Sequence, residues 1–211
     1  MTTKTEPEIV SINPDELPSA AAYRLLVSCV VPRPIAWVST ISSEGVLNLA
    51  PYSFFNAVSG SPLTVMFSVS SRRGRPKDTL INARQTGEFV LNVVDETLAE
   101  AMNQTSAEWD YEVDEFERAG LESIPSTVVR PPRVALARVA LEAKVSQILP
   151  LEGTDSTLVF GQVVCFQLQA GLRRDNGLVD ANLLRPLTRL GGEEYATFGE
   201  VFTMARPPRP E

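Results

Sequence analysis

The sequence predicts a mainly β chain, α+β in class: an antiparallel barrel, closed or nearly closed, with helices at its periphery. Three observations carry this. Short apolar runs alternate with period 2 and are separated by turn residues. The regular strand–helix–strand alternation of a doubly wound fold is missing. No G-x-G-x-x-G follows a strand, so there is no sign of a dedicated dinucleotide fold.

Residues 1–12 are polar and are expected to form a loose tail, with 13–211 as a single domain. "NPDELPSAAAYRLLVSCV" (13–30) predicts a helix entered through Asp15 or Ser19, with Ala22, Leu25 and Leu26 on one face. Pro32 and Pro34 end it, because neither donates a backbone hydrogen bond. "IAWVSTI" (35–41) reads as a strand and "SSEG" (42–45) as a turn in which Gly45 is free to take positive φ. "VLNLAPYSFF" (46–55) returns as its partner, broken by Pro51, which would leave neighbouring N–H groups without sheet partners. In "LTVMFSVS" (63–70), Val65, Phe67 and Val69 share one face.

Asp78 is the expected N-cap of "TLINARQT", and Gly87 its stop. "EFVLNVV" (88–94) is a strand, and Asp95 caps a helix in which Leu98 and Met102 share a face. Residues 106–132 read as a long surface loop holding a short helix near "VDEFERAG", with Glu115 and Phe116 assigned to capping and packing. "VALEAKVS" (139–146) alternates as a half-buried strand, placing Glu142, Lys144 and Ser146 on the polar side. "STLVFGQVVCFQL" (156–168) is a long strand with a bulge or bend at Gly161.

The 211 residues include 26 Asp or Glu and 19 Lys or Arg, a net charge of −7. That balance argues against general affinity for nucleic acid or anionic membrane. No stretch is long and apolar enough for a signal peptide or a membrane span, and a cytoplasmic protein is expected. Cys29 and Cys165 have no metal-type spacing, and Cys165, inside an apolar run, reads as a buried reduced thiol. There is no histidine. Histidine-based acid–base catalysis and Ser-His-Asp or Cys-His triads are thereby excluded, and no metal site is expected. The difficult chemistry of an enzyme of this composition belongs to a bound cofactor.

Against that acidic background, "SSRRGRPKDT" (70–79) concentrates Arg72, Arg73, Arg75 and Lys77. Three readings stand. The loop is solvated surface; or its R-G-R-P core is an AT-hook for the minor groove of A·T-rich DNA; or it is a phosphate site. The last uses position: Lys77, Asp78 and Thr79 lie where a helix begins, so free N–H groups, an ammonium and a hydroxyl converge. The hook is single and sits between a strand and a helix of an acidic chain, whereas such hooks normally lie in disordered basic segments.

"VVPRPIAWVSTISSEGVLNLAPYSFFNAVSGSPLTVMFSV" followed by "KDTLINARQTGEFVLNVV" closely resembles the flavin reductase-like family of FMN-binding split barrels, and "VDEF", "VFGQVV" and "LTRLGGEEY" match it further along. The resemblance spans roughly residues 20–206. It implies a homodimer of split β-barrels, each binding one FMN near the subunit interface, reduced by NADH or NADPH and often supplying a partner monooxygenase. Carried over by position, Arg33, Ser39 and Thr40 would line the flavin site. Ala50, Pro51, Tyr52 and Ser53 would approach the ring edge, with Asn56 nearby. Ser70, Arg72, Lys77, Asp78 and Thr79 would hold the phosphate and ribityl chain, and Arg189 and Tyr195 belong to the C-terminal signature. Many relatives carry a histidine after the strand matching "GQVVCF", where this chain has Gln167. The expected function is an FMN-binding, NAD(P)H-dependent flavin reductase with no protein acid or base assigned. The alternative is a non-enzymatic electron carrier or flavin sensor.

Overall fold

The computed structural model describes residues 7–209. The first six residues of the expected tail lie outside this range; residues 7–12 carry no helix or strand and are exposed. In chain order the strands are β1 (Arg33–Pro34), β2 (Ala36–Ile41), β3 (Leu47–Tyr52), β4 (Phe55–Gly60), β5 (Leu63–Ser70) and β6 (Glu88–Val93). There follow β7 (Ser123–Ile124), β8 (Arg133–Val134), β9 (Val139–Pro150), β10 (Ser156–Leu168), β11 (Thr188–Arg189) and β12 (Tyr195–Ala196). The helices are α1 (Ser19–Cys29), α2 (Asp78–Thr86), α3 (Ala99–Gln104), α4 (Glu115–Arg118) and α5 (Ala181–Leu184).

Seven strands form one antiparallel sheet in the order β3-β2-β6-β9-β10-β5-β4. Its two edges, β3 and β4, are consecutive in the chain and separated only by Ser53 and Phe54. The sheet must therefore curl until its edges meet at that corner; there the Ser68 N–H of β5 donates to Phe54 O at 2.9 Å, carrying the β4–β5 pairing into the connection. No register pairs β3 with β4 among the described residues, so the curled sheet is a barrel split along that seam.

The interior follows the predicted alternation: Val65, Phe67 and Val69 of β5 are buried and join Val38, Leu91, Ala143 and Val159 in one core. Three rings cross it. Tyr52 packs on Phe67 at 5.2 Å between centroids, and Phe67 meets Phe89 edge-on at 5.2 Å. Phe89 has room only because residue 161 is glycine; a Cβ there would stand 2.3 Å from Cζ of the ring. The register of β10 against β9 shifts between Phe160 and Gly161, as the sequence suggests. On the opposite face of β2 and β3, Trp37 and Leu49 pack with Leu98, Met102, Phe116 and Val134 in a second core. The Trp37 indole N–H donates to Thr105 Oγ1 at 2.9 Å.

Four expectations are corrected. The strand runs through Pro51 to Tyr52, because β3 is a sheet edge and a proline there forfeits no ladder bond. Helix α1 begins at Ser19 and buries only Val27, leaving Leu25 and Leu26 exposed. It is held by its end: the Arg33 guanidinium donates to Val27 O at 2.5 Å and Val30 O at 2.6 Å. Glu142 lies on the outer side of β9 as its alternation predicts but is wholly buried, because residues 127–129 fold over it and donate three backbone N–H groups to its carboxylate. Cys165 is half-buried rather than buried, and Cys29 is exposed; both are free thiols.

Gly161→Ala must push Phe89 off its perch against Phe67. The expected cost is about 1–3 kcal/mol, read as a melting temperature lower by several degrees. Adding Phe89→Leu should recover part of that loss. An unchanged melting temperature in the single variant would show that the ring moves freely.

Candidate functional site

The site begins at the amino end of α2. Lys77 is extended (φ −74°, ψ 156°) and is the N-cap, with no side-chain capping bond; Asp78, the expected cap, is the first helical residue. The first intrahelical donors are Leu80 and Ile81, both to Lys77 O, so the amides of Asp78 and Thr79 find no partner among the described residues. Gly87 closes the helix in the left-handed region (φ 70°), as predicted. Burial raises the Asp78 carboxyl above its ordinary value; Arg72 opposes this and Asp110 adds to it.

This helix end forms one wall of a cleft of about 920 Å³. Ala50, Pro51 and Tyr52 of β3 supply another wall, and the 105–111 loop the third. A polar network orders the floor: Asn48 Nδ2 donates to Thr40 Oγ1 and to Thr79 Oγ1, each at 2.9 Å. Asn82 Nδ2 also donates to Thr40, at 3.1 Å, and Tyr111 donates to Asn82 Oδ1 at 3.1 Å. Because Thr79 accepts from Asn48, its own hydroxyl proton is left to donate.

Two cleft residues carry buried polar atoms with no partner among the described residues, the Tyr52 hydroxyl and the Trp109 indole N–H. Burial pushes the Tyr52 phenol above its ordinary ionisation range, with Thr79 pulling the other way. Orphaned donors inside a cleft call for a ligand that accepts hydrogen bonds. Lys77 lies over the Tyr52 ring, 5.7 Å from its centroid. Glu115 sits in the same floor, 5% exposed, and accepts from the Leu49 N–H at 3.0 Å. Its carboxyl is raised to about 7, chiefly by burial, which the backbone donors offset and the charges of Asp78 and Asp114 reinforce.

The basic loop is a tight turn rather than an extended segment. Arg72 and Arg75 exchange backbone bonds at 2.7 and 2.8 Å, with Arg73 (φ 49°) and Gly74 (φ 76°) left-handed between them. Arg72 pairs with Glu108 at 3.0 Å and donates to Trp109 O at 2.8 Å, tying the 105–111 loop across the cleft. Arg73 is 87% exposed along its side chain and only grazes Glu108 at 3.9 Å.

A second cleft, of about 680 Å³, adjoins the first and shares Pro51 and Ser106 with it. Here lie Arg33, Ser53 and Arg189. Of the residues expected from sequence, Ala50, Pro51, Tyr52, Arg72, Lys77, Asp78 and Thr79 gather in the first cleft, and Arg33, Pro51, Ser53 and Arg189 in the second.

Four expected residues line neither. Ser39 is wholly buried on the far side of β2, its hydroxyl on Pro132 O at 2.5 Å. Thr40 reaches the cleft only indirectly, through Asn48 and through Asn82 and Tyr111. Asn56 is exposed on β4 opposite Met66, and Ser70 bonds Ser156 at 3.1 Å. Gln167 is also remote from both clefts, donating to Thr127 Oγ1 at 2.6 Å and Glu142 Oε1 at 2.8 Å. The sequence reading passed over Asn48, Trp109 and the cleft role of Glu115. Asn48 was open to view, since it stands two residues before Ala50 in the "VLNLAPYSFF" stretch that carries the resemblance. Trp109 and Glu115 sit in an irregular loop and a four-residue helix that give no periodic signal.

Glu115 sets a pH dependence of stability. The folded protein keeps this proton up to about pH 7, whereas the unfolded chain releases it near 4.5. The folded state thus binds more protons between these values, and stability falls as pH rises through them, by about 3 kcal/mol. Glu115→Gln lacks that slope. Its melting temperature relative to the parent should rise between about pH 4.5 and pH 8; a constant difference would refute the assignment.

Known proteins share this architecture. The family model described as "Flavin reductase like domain" matches residues 27–185. Nitrilotriacetate monooxygenase component B from Bacillus cereus is 37% identical, with a TM-score of 0.91 over 94% of this chain and 100% of that one. The 2-nitrobenzoate 2-nitroreductase NbaA of Pseudomonas fluorescens is 32% identical, with a TM-score of 0.85 over 94% and 96%. A protein of Halalkalibacterium halodurans is 42% identical over 94% of this chain and 97% of its own length. With the curled seven-stranded sheet and the helix-end cleft beside β3, these matches make the chain a member of the flavin reductase-like, split-barrel family.

Proposed function

We propose that the first cleft binds FMN and that the protein is an NAD(P)H-dependent flavin reductase. The observation that carries this is the union, in one cleft, of an uncapped helix amino end, a lysine and two orphaned buried donors. A phosphate suits the helix end, where amide N–H groups and the positive end of the helix dipole face outward. A volume of about 920 Å³ accommodates a ligand of FMN's size.

In this reading the amides of Asp78 and Thr79, the Thr79 hydroxyl and the Lys77 ammonium hold the phosphate. The Tyr52 O–H and Trp109 N–H donate to acceptors elsewhere on the ligand, and Asp78 accepts from its hydroxyl groups. Glu115 keeps a proton in the cleft floor up to near neutral pH. A bound FMN supplies the hydride chemistry, and the chain's own residues bind it, orient it and shield it. Membership beside a monooxygenase component B supports a partner monooxygenase as one destination of the electrons, and a nitroreductase relative supports a small aromatic acceptor as another.

Among the described residues no helix is long and apolar enough to cross a membrane. We read residues 13–211 as one domain of a cytoplasmic homodimer. Exposed Val58 on β4, Phe166 on β10 and Phe202 near the C-terminus are apolar surface that a second copy would cover.

Freshly purified protein should be yellow, or should become so with added FMN, and should bleach anaerobically with NADH or NADPH. Reduction by a protein donor alone would instead favour an electron carrier. Lys77→Ala and Thr79→Val should each weaken FMN binding about tenfold, the scale of one charge-assisted hydrogen bond, with little change in melting temperature for Lys77→Ala. Undiminished affinity in both variants would remove the phosphate assignment.

A further inference from the structure

The second cleft carries a charge arrangement that the flavin reading does not use. Three guanidinium groups face it, Arg24 from α1, Arg33 from β1 and Arg189 from β11, against one carboxylate, Glu193. None of the three makes an ion pair with a carboxylate among the described residues; the ion pairs found lie elsewhere. This is a local cationic surplus in a chain of net charge −7.

Arg33 is 7% exposed and donates to Val27 O, Val30 O and Leu190 O, the last at 2.7 Å. Its Nε–H nevertheless remains buried and unpartnered. Burial lowers its ionisation range; Tyr23 opposes this, and the neighbouring charge of Arg189 adds to it, so these two cations repel one another. Arg189 is pinned in place by stacking on Tyr195, 4.4 Å from the ring centroid, and by donating to Gly192 O. Arg24 is exposed at the rim and makes no hydrogen bond to any described group. Guanidinium groups held near each other without carboxylate ion pairs are relieved by a bound anion, and their forked donors match phosphate oxygens.

We infer that the second cleft binds the phosphates of the dinucleotide electron donor while flavin occupies the first. This rests on the flavin reading of the first cleft. The shared residues, Pro51 and Ser106, put the two ligands side by side, and about 680 Å³ is within the range of a small-molecule site. Arg24 supplies the exposed charge, Arg189 the anchored one, and Arg33 braces the wall between α1 and β11.

The test titrates FMN-loaded protein with NADP⁺ and NAD⁺, which bind without reducing the flavin, and with inorganic pyrophosphate. Arg24→Ala should weaken NADP⁺ and pyrophosphate binding about tenfold, and Arg24→Glu more, with FMN affinity and melting temperature unchanged. The salt dependence of dinucleotide binding should become shallower in both variants. Unaltered NADP⁺ and pyrophosphate affinity in variants that retain FMN would overturn the inference and leave the flavin site standing. So would loss of FMN in Arg24→Ala, which would make this cleft part of the flavin site. Arg24-dependent binding of benzoate, with none of pyrophosphate or NADP⁺, would overturn the phosphate assignment in favour of an aromatic carboxylate. Parent protein that binds no FMN would instead overturn the flavin reading itself.

Discussion

The stack of Tyr52, Phe67 and Phe89 across the barrel is the contact on which the rest depends. It joins β5 to β3 and to β6, strands not adjacent to it in the sheet order, and so fixes how tightly the sheet curls. Gly161 admits the outermost ring by offering no Cβ. The stack also reaches the site, because Tyr52 belongs to both. Its ring is core, while its hydroxyl is one of the orphaned donors of the first cleft. A close-packed interior transmits small displacements, so the position of that donor is set by the packing of two phenylalanines behind it.

Two buried glutamates show how backbone donors decide the state of a carboxyl. Glu142 suffers burial, yet the N–H groups of Thr127, Val128 and Val129 and the Gln167 amide hold it below the ordinary carboxylate range. Glu115 receives one such donor from another residue, Leu49, and faces Asp78 and Asp114, so burial prevails and its proton is retained toward neutrality. The first arrangement staples a loop to the outside of β9. The second leaves a protonated group in a ligand cleft. Desolvation acts on both, and the number of donors together with the neighbouring carboxylates separates them.

The cations divide in the same manner. Arg72 is spent on Glu108 and the Trp109 carbonyl, where it builds the far wall of the first cleft. Arg33 is spent on carbonyls that tether α1. Lys77 and Arg24 face clefts without a carboxylate partner among the described residues. A basic loop read by composition alone does not distinguish a cation that builds a wall from one that meets a ligand.

By itself the sequence determined six of the seven strands of the main sheet, though not β4, the inward faces of β5 and β9, the left-handed stop at Gly87, the bend at Gly161 and the meeting of Lys77, Asp78 and Thr79 at a helix start. Each is a local property: alternation, positive φ and helix-end amides are written within a few residues. Where the family motifs lie on one strand or turn, their residues line a cleft together, as do Ala50, Pro51 and Tyr52. Tertiary structure alone decided that Ser39 turns away from the clefts, that Thr40 acts only through Asn48 and Asn82, and that Arg33 braces a helix. It also decided that Glu142 is buried and that Trp109 and Glu115 complete the first cleft. These depend on which distant segment covers a given face. That is settled when the sheet curls and the loops close over it, and no short-range pattern records it.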